Sequence, residues 1–524
     1  MALTSSLLNR PSVRIGMAAA AITTMVAGAV TASATHQPRT LTANVSDLNW
    51  LADHATTPPL GYFDATRNLH LGNTPQAPCG PGSRPETSWQ GRVPAKDYAD
   101  GRAAKGYTCN TALVSHFGQS GGYRTARYVD AAGHVCAFYD STLLFGSDVV
   151  QNNFKAGVYV LDMSNPRKLV MTANLDTPAM DTPHESLRLN TKRGLLVADA
   201  GSPATNLGFV DVYSVAKDCR HPVWESTLPI GPLGHESGFS PDGKTFWATA
   251  TATNGITAID LSNPAVPRIV WHSQDYGSHG MALSPDGKVA YLAAPCCNYF
   301  TAISGYGNDS KTGGLVILDV SAVQNRTLTN PAADLPVIAK LTWPEISIPQ
   351  NVIPITIRHH PYLIEFDEFS SNVLQYNPDS AVGAARIIDI GNLHHPKVIS
   401  RIRLAVHNPK ERASDQQNDP GATSGTQGYA AHYCAVPRQA DPGIVACSMI
   451  LSGLRVFDIR DPYHPREVAY FNMPPSGGSH AMSAPAFDPA RGDIWYTDGA
   501  SGFWVVHVTN GAWPRSGSYP TPNF

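Results

Sequence analysis

Residues 234–260 read GHESGFSPDGKTFWATATATNGITAID, and this stretch contains most of one structural repeat. A histidine opens a short segment that ends in the sequence Ser-Pro-Asp-Gly at 240–243. In such a turn proline fixes φ, aspartate is tolerated and glycine supplies a positive φ. Segments with strand character follow, and residues 278–287 repeat the opening as SHGMALSPDG. A strand, a tight turn and three further strands form the unit of a four-stranded β-propeller blade.

Each copy of the repeat closes with a motif of the form small–apolar–x–apolar–apolar–polar. The chain contains seven such motifs, at 157–162, 208–213, 255–260, 314–319, 384–389, 453–458 and 502–507. A histidine precedes each motif by 20 to 35 residues, and we align it with the start of the innermost strand of a blade: His134, His184, His235, His279, His360, His432 and His480. Self-similarity at this period predicts an all-β, seven-bladed β-propeller.

The chain before the repeats has two parts. Arg10 and Arg14, the apolar stretch 15–30 and the sequence Ala32-Ser-Ala34 predict a signal peptide over 1–34. Residues 35–110 contain no copy of the repeat and are expected to form an irregular N-terminal arm, and 111–524 should form the propeller. The sequence leaves open whether the ring closes with its C-terminal strand or with one from the arm.

The repeats predict seven blades at about 111–180, 181–232, 233–276, 277–345, 346–404, 428–474 and 475–524. A polar insert at 405–427 separates the fifth and sixth blades. Such an insert forms either a cap over one face of the ring or mobile surface, and we favour mobile surface.

Composition excludes several classes of partner. The chain has a net charge of −3, and removal of Arg10 and Arg14 with the leader makes it more negative. Nucleic acid or an anionic membrane would require a basic face. We therefore expect a secreted, extracytoplasmic monomer that does not insert into the membrane after cleavage, and whose partner is a small molecule or a cell-envelope component.

All eight cysteines follow the leader, as expected for disulfides in an exported protein. We pair Cys434 with Cys447, because they fall on neighbouring strands of one blade, and Cys79 with Cys109, within the arm. The other four remain open: Cys136 and Cys219 are either a pair or free, and the adjacent Cys296 and Cys297 either bond to each other or elsewhere.

The ends of several blades carry a recognisable phrase. It reads LVILDVS at 315–321, VYVLDMSNP at 158–166 and LRVFDIRDP at 454–462. It resembles the repeat of LVIVD-repeat proteins, exported bacterial β-propellers that are mostly uncharacterised. A more remote similarity connects the chain to propellers that hold a metal on a ring of histidines, such as the selenium-binding/methanethiol oxidase family. No local motif of those proteins is matched beyond the histidine itself.

The recurrent histidines predict a metal site at the mouth of the channel. Imidazole is the commonest protein ligand for zinc, copper and iron, so one of these ions is the expected cofactor if there is one. Seven imidazoles cannot all bind one ion, so about four would be ligands. Glu185 and Glu236 follow two of the histidines and Glu365 lies five residues after His360, so these carboxylates could orient the imidazoles. His359 could replace His360.

Two alternatives to metal binding stay open. The histidines could belong to a structural hydrogen-bond network, as in WD-type repeats, or they could hold ordered water or an organic anion. The aspartate that ends five of the closing motifs, by contrast, is predicted to be a structural turn residue.

Two functions follow. The first is an exported copper or iron oxidoreductase acting on a small substrate, and the second is a non-catalytic binding module of the cell envelope. The sequence contains no serine nucleophile elbow, phosphate-binding glycine loop or HExxH motif.

Overall fold

The computed structural model describes residues 72–141, 155–200, 208–231, 234–250, 255–276, 278–294, 314–343, 345, 347–368, 382–413, 415–422 and 428–513. The predicted signal peptide and the Cys296–Cys297 pair lie outside these residues. Within them, no helix is both long enough and apolar enough to cross a membrane.

The described strands form seven antiparallel sheets arranged as the blades of a β-propeller, as predicted. The first four blades, each from its innermost strand outward, are β3 to β6 (Thr125–Val129, Val135–Asp140, Val158–Asp162, Val170–Leu175), β7 to β10 (Arg188–Asn190, Leu195–Asp199, Gly208–Ser214, Val223–Gly231), β11 to β14 (Glu236–Phe239, Thr245–Ala250, Gly255–Asp260, Arg268–Ser273) and β15 to β18 (Met281–Leu283, Val289–Ala294, Gly314–Asp319, Val337–Leu341).

The other three blades follow the same order. They are β19 to β22 (Ile348–Ile357, His360–Glu368, Ala385–Asp389, Lys397–Ile402), β23 to β26 (Tyr433–Ala435, Ile444–Ser448, Leu454–Asp458, Arg466–Asn472) and β27 to β29 (Ala486–Asp488, Asp493–Asp498, Gly502–Val508). Two strands from the start of the described chain, β1 (Tyr107–Cys109) and β2 (Thr111–Phe117), complete the sixth and seventh sheets.

The ring closes through an N-terminal strand. β2 pairs with β29 and forms the outermost strand of the seventh blade, so the first blade begins at β3 and not at residue 111. The innermost strands of the first and last blades also meet, because the Thr125 N–H donates to the Ala484 carbonyl oxygen. This pairing answers the question of closure that the sequence left open.

A separate hydrophobic core fills each contact between neighbouring blades. Trp247 of the third blade, for example, packs with Met281 and Leu292 of the fourth, and all three are almost completely buried. Burial of this kind contributes roughly 25 cal/mol per Å² of apolar surface. Each blade therefore has two apolar faces, one for each neighbouring blade.

The aspartate that ends five closing motifs has the structural role predicted for it. Its Oδ1 accepts the backbone N–H of the residue two positions later in every case: Asp162, Asp260, Asp319, Asp389 and Asp458. These are Asx turns, which start the connection to the outermost strand.

The arm packs on the sixth blade. β1 adds a fifth strand to that sheet by pairing with β26. The Arg455 guanidinium pairs with both Glu86 of the arm and Glu467 of β26, and all three side chains are buried. The helical segments are short: α1 (Ala95–Ala99), α2 (Pro178–Asp181), α3 (Ser321–Gln324), α4 (Pro409–Arg412) and 3₁₀ turns at Ala103–Lys105, Ala405–His407 and Asp415–Asn418.

The insert at 405–427 is not simply mobile surface, contrary to our preference from the sequence. In its described part Val406, His407 and Gln416 are buried. Asp419 accepts two hydrogen bonds from the Arg92 guanidinium of the arm, at 2.8 and 3.0 Å. This ion pair fastens the insert against the arm.

Three disulfides are present in the described residues. Cys79–Cys109 and Cys434–Cys447 confirm the two predicted pairs. Cys136 bonds to Cys219, which settles the pairing that the sequence left open.

Candidate metal centre

Six side chains form a ring at one end of the channel, each from a different blade. Each lies near the start of the innermost strand of its blade. The six are Tyr123, His184, His235, His279, Gln350 and His432. Five of these side chains are aromatic and follow one another around the ring. The centroids of successive aromatic groups are 4.4 to 5.1 Å apart, in the order His432, Tyr123, His184, His235 and His279. Gln350 lies between His279 and His432 and completes the circle.

Glu185 contacts more members of this ring than any other described side chain. Its Oε2 lies 3.3 Å from Nε2 of His235 and 3.5 Å from Nε2 of His279. Its Oε1 lies 3.1 Å from Nε2 of His432 and accepts a 2.7 Å hydrogen bond from Gln350. The sequence predicted Glu185 as an orienting residue, whereas its direct contacts make it a possible ligand.

A second carboxylate, Glu368, reaches the same point from the end of β20. Its Oε1 lies 3.4 Å from Nε2 of His279, and its Oε2 lies 3.1 Å from Nε2 of His432. Sequence reasoning missed Glu368, since it lies on a second strand and has no fixed spacing to any histidine of the repeat.

The outer nitrogens of two imidazoles are anchored on backbone carbonyls. Nδ1 of His279 lies 3.0 Å from the oxygen of Pro349, and Nδ1 of His432 lies 2.7 Å from that of Met482. A carbonyl oxygen only accepts hydrogen bonds, so each Nδ1 carries the proton. Each Nε2 can therefore present a lone pair to the centre of the ring, which is the orientation that a metal ligand needs.

Two buried polar atoms of the ring have no hydrogen-bond partner among the described residues. They are Nδ1 of His184 and Oε1 of Gln350. His184 also has a φ of 53°, in the left-handed region that non-glycine residues rarely adopt. Buried polar groups are nearly always satisfied, so two unsatisfied polar atoms in one cluster require an explanation.

Charge in the ring is balanced by a proton when no other cation is present. Burial acts to raise the pKa of Glu185, but hydrogen bonds from His235, His279 and His432 outweigh it and hold this pKa well below its usual value. Burial acts to lower the pKa of His432, but Glu185 and Glu368 raise it to about 9. Burial and the nearby His235 lower the pKa of His184. The ring is therefore built to hold positive charge beside the carboxylate of Glu185.

The spacing of the donor atoms fits a metal ion. Metal–nitrogen bonds of about 2.1 Å place neighbouring donors about 3.0 Å apart in an octahedron and about 3.4 Å apart in a tetrahedron. The Nε2 atoms of His235 and His279 are 2.9 Å apart, and the carboxylate contacts span 3.1 to 3.5 Å. Ligand atoms of His184, Glu185 and His235 lie within 4.8 Å of one another, as do those of Glu185, Glu368 and His432.

A layer of charged residues lies next to the ring. Glu236, which the sequence predicted as an orienting residue, contacts no imidazole by a described hydrogen bond. Its Oε1 accepts hydrogen bonds from the Arg124 guanidinium and the Tyr433 hydroxyl, and its Oε2 accepts one from Arg188 at 2.8 Å. Arg124 also donates to the carbonyl oxygen of Glu185 at 2.7 Å, so this layer supports the backbone of the ring.

Two predicted ring histidines, His134 and His360, lie elsewhere. Each is at the start of the second strand of its blade and not of the innermost strand, so the predicted alignment is wrong for both. His134 bonds to Asp130 at 2.9 Å, and His360 bonds to Asp389 at 2.8 Å with 45 % of its side chain exposed.

His480 and Glu365 also fall outside the cluster. His480 is half-buried in the seventh blade, where its backbone N–H donates to Asp498, and its ring has no described contact with the other imidazoles. Glu365 is fully buried and pairs with Arg386. Four of the seven predicted histidines are thus brought together.

A second group of possible ligands surrounds His134. Asp130 and Asp218 lie 2.9 and 3.7 Å from its Nδ1. The Asp130 carboxylate already accepts backbone N–H groups, including that of Cys219, and Asp218 is paired with Arg220. These contacts fix the loop beside the Cys136–Cys219 disulfide, and the group has the character of a structural network.

Comparisons with known proteins find only distant structural similarity. No protein-family model matches the sequence, and no curated protein matches it. Similar solved structures include the hydrazine synthase of Kuenenia stuttgartiensis, at 12 % identity over 75 % of this chain and 96 % of that chain, with a TM-score of 0.46. The β-propeller domain of Cps50 (Swd1) from Myceliophteria thermophila is 11 % identical over 76 % and 99 % of the two chains, with a TM-score of 0.43. At these identities nothing about function follows.

Proposed function

We propose that the protein binds one first-row transition-metal ion in the ring. Nε2 of His235, His279 and His432 and a carboxylate oxygen of Glu185 are the proposed ligands. Glu368 either completes the coordination or orients His279 and His432, and His184 lies beside the ligands. Imidazole and carboxylate together suit zinc, copper or iron, and each of the six described cysteines is in a disulfide, so none of these six supplies a thiolate ligand.

The unsatisfied acceptors carry the proposal. A purely structural histidine network would be expected to satisfy its buried polar atoms, because an unpaired buried acceptor costs roughly 1–3 kcal/mol. Nδ1 of His184 and Oε1 of Gln350 can both accept, and neither has a described partner. A cation in the ring, with the water it carries, would give their lone pairs a partner.

The identity of the ion decides whether redox chemistry follows. Zinc has no redox chemistry, whereas copper or iron on these nitrogen and oxygen ligands would support the predicted oxidoreductase activity on a small substrate. The three disulfides favour an oxidising, extracytoplasmic location. The resemblance to LVIVD-repeat proteins stays a prediction.

Metal analysis of protein purified without a histidine tag tests the proposal. The wild-type protein should retain close to one equivalent of metal after reconstitution and desalting, and the double variant His279→Ala/His432→Ala should retain little. The matched control is His134→Ala/His360→Ala, which removes two histidines outside the ring and should bind as the wild type does. Less than about 0.1 equivalent in the wild type would contradict metal binding.

A further inference from the structure

A cavity of about 150 Å³ occupies the channel next to the charged layer. Residues of all seven innermost strands line it, and most of them are apolar, including Leu189, Leu283, Ile353, Val436 and Phe487. A water molecule needs about 10–15 Å³ of such volume, so the cavity has room for roughly ten non-hydrogen atoms.

The two ends of the cavity differ. Thr191, Pro241 and Gln439 line one end, and all three are half-buried, so this end is open to solvent. The other end contains Arg124 and Arg188, whose side chains are only 7 % and 13 % exposed. The cavity is thus an apolar tube that ends on two guanidinium groups.

These guanidinium groups retain donors for a ligand. Arg124 uses Nε and one Nη to bond Glu185 and Glu236, and Arg188 uses Nε and Nη2 to bond Ser237 and Glu236. Nη1 of each has no hydrogen bond to a described residue. Because both arginines share the carboxylate of Glu236, their guanidinium groups lie close together.

Two buried guanidinium groups share one carboxylate at this end, that of Glu236. The charges of Glu185 and Asp140 also act on Arg124. Asp199 is also near Arg188, and burial raises the pKa of its carboxyl group well above the usual range. Arg127, farther along the cavity wall, has its own partner in Asp488 at 3.4 Å. An anion at Arg124 and Arg188 would accept charge-assisted hydrogen bonds from their Nη1 groups, which bond no described residue.

We propose that the channel binds a small organic anion with an apolar tail, such as a medium-chain carboxylate, with its head on Arg124 and Arg188 and its tail toward the open end. Charge-assisted hydrogen bonds to guanidinium fix the head. The apolar walls bury the tail. This site is separate from the metal ligands and goes beyond the proposed metal binding.

Calorimetric titration with octanoate and with its neutral analogue octanamide tests the proposal. Octanoate should bind one to one and at least about tenfold more tightly than octanamide, since a hydrogen bond to a charged group contributes more than a neutral one. Arg188→Gln should remove most of that difference and leave octanamide binding unchanged. Equal affinity of the two probes, or an unchanged preference in Arg188→Gln, would overturn the assignment.

If Arg188→Gln does not fold, a variant with a larger side chain in the cavity tests the same proposal. Ala126 lines the cavity and is half-exposed to it, so Ala126→Phe should abolish binding of both probes. Ile269→Phe, at an exposed position on an outermost strand, is the control and should bind normally. Unchanged octanoate binding in Ala126→Phe would overturn the location.

The metal is varied independently. Both titrations are repeated with chelator-treated and with metal-loaded protein, and octanoate binding should be the same in both. Binding that requires metal, and that His279→Ala abolishes, would show that the carboxylate coordinates the ion and would overturn the arginine site. Absence of metal binding with normal octanoate binding would contradict the proposed function alone.

Discussion

Replacement of His235 by alanine should weaken metal binding more than any stability effect of the variant can explain. Nε2 of His235 is 2.9 Å from Nε2 of His279 and 3.3 Å from Glu185, so it occupies one corner of the proposed coordination shell. The side chain of His235 is 17 % exposed, whereas those of His279 and His432 are fully buried. Because His235 already contacts solvent, water can enter the space that alanine leaves. The fold should therefore tolerate the change.

The size of the effect follows from the number of ligands. Structural zinc sites with four ligands bind with about 10–16 kcal/mol, which is about 2.5–4 kcal/mol per ligand. Loss of one ligand should therefore raise the dissociation constant for Zn²⁺ by a factor of about 10² to 10³.

Competition between the untagged protein and a chromophoric chelator for Zn²⁺ measures this constant. His360→Ala is the matched control, because that histidine was aligned with the same strand position but lies 45 % exposed beside Asp389. Its affinity should stay within about twofold of the wild type, since a residue outside the shell contributes little. Wild-type affinity in His235→Ala, or an equal loss in both variants, would refute the assignment of ligands.

Three further predictions concern the ring, pH and a disulfide. Glu368→Gln should weaken Zn²⁺ binding at least about tenfold in the same assay, while Glu365→Gln, which contacts no imidazole, should not; equal effects would contradict the role of Glu368. Burial raises the pKa of Asp140 to about 7, above its unfolded value of about 3.9, so its stabilising contribution is fully present below about pH 4 and is lost as the pH rises through 7. Urea unfolding should show this decline, and Asp140→Asn should flatten it; an unchanged profile would exclude Asp140 as its source. The double variant Cys136→Ser/Cys219→Ser opens a loop of 83 residues and should lower the free energy of unfolding by about 4–5 kcal/mol, and a loss below about 1 kcal/mol would contradict this.

The blade count was predictable because it rests on local patterns. The closing motifs mark the third strand of each blade, and each is followed by an aspartate turn or a similar connection. The assignment of residues 111–117 was not predictable in the same way. β2 closes the ring by pairing with β29 at the other end of the chain, and no local pattern specifies a partner so far away in sequence.

Long loops explain why two histidines were misaligned. His134 and His360 stand before a second strand, one strand later than the true ring position. In their blades the second and third strands are separated by 17 and 16 residues, so the distance to the closing motif still matched that of the other blades. Spacing alone cannot distinguish a long loop from an additional strand.

The ring residue of the fifth blade was also not predicted from the sequence. Gln350 holds the position there, within a proline-rich segment that lacks the histidine of the repeat. A search for a polar residue aligned with His279 and His432 could have found it. Glu368 reaches the cluster only through the curvature of the ring, which brings the end of β20 beside two other blades.

Anomalous X-ray diffraction from crystals of the metal-loaded protein tests the central claim most directly. Data collected on both sides of the absorption edge of the bound element should show one peak about 2.0–2.2 Å from Nε2 of His235, His279 and His432. A peak at the Asp130–His134–Asp218 group with none in the ring, or no peak in fully loaded crystals, would contradict it.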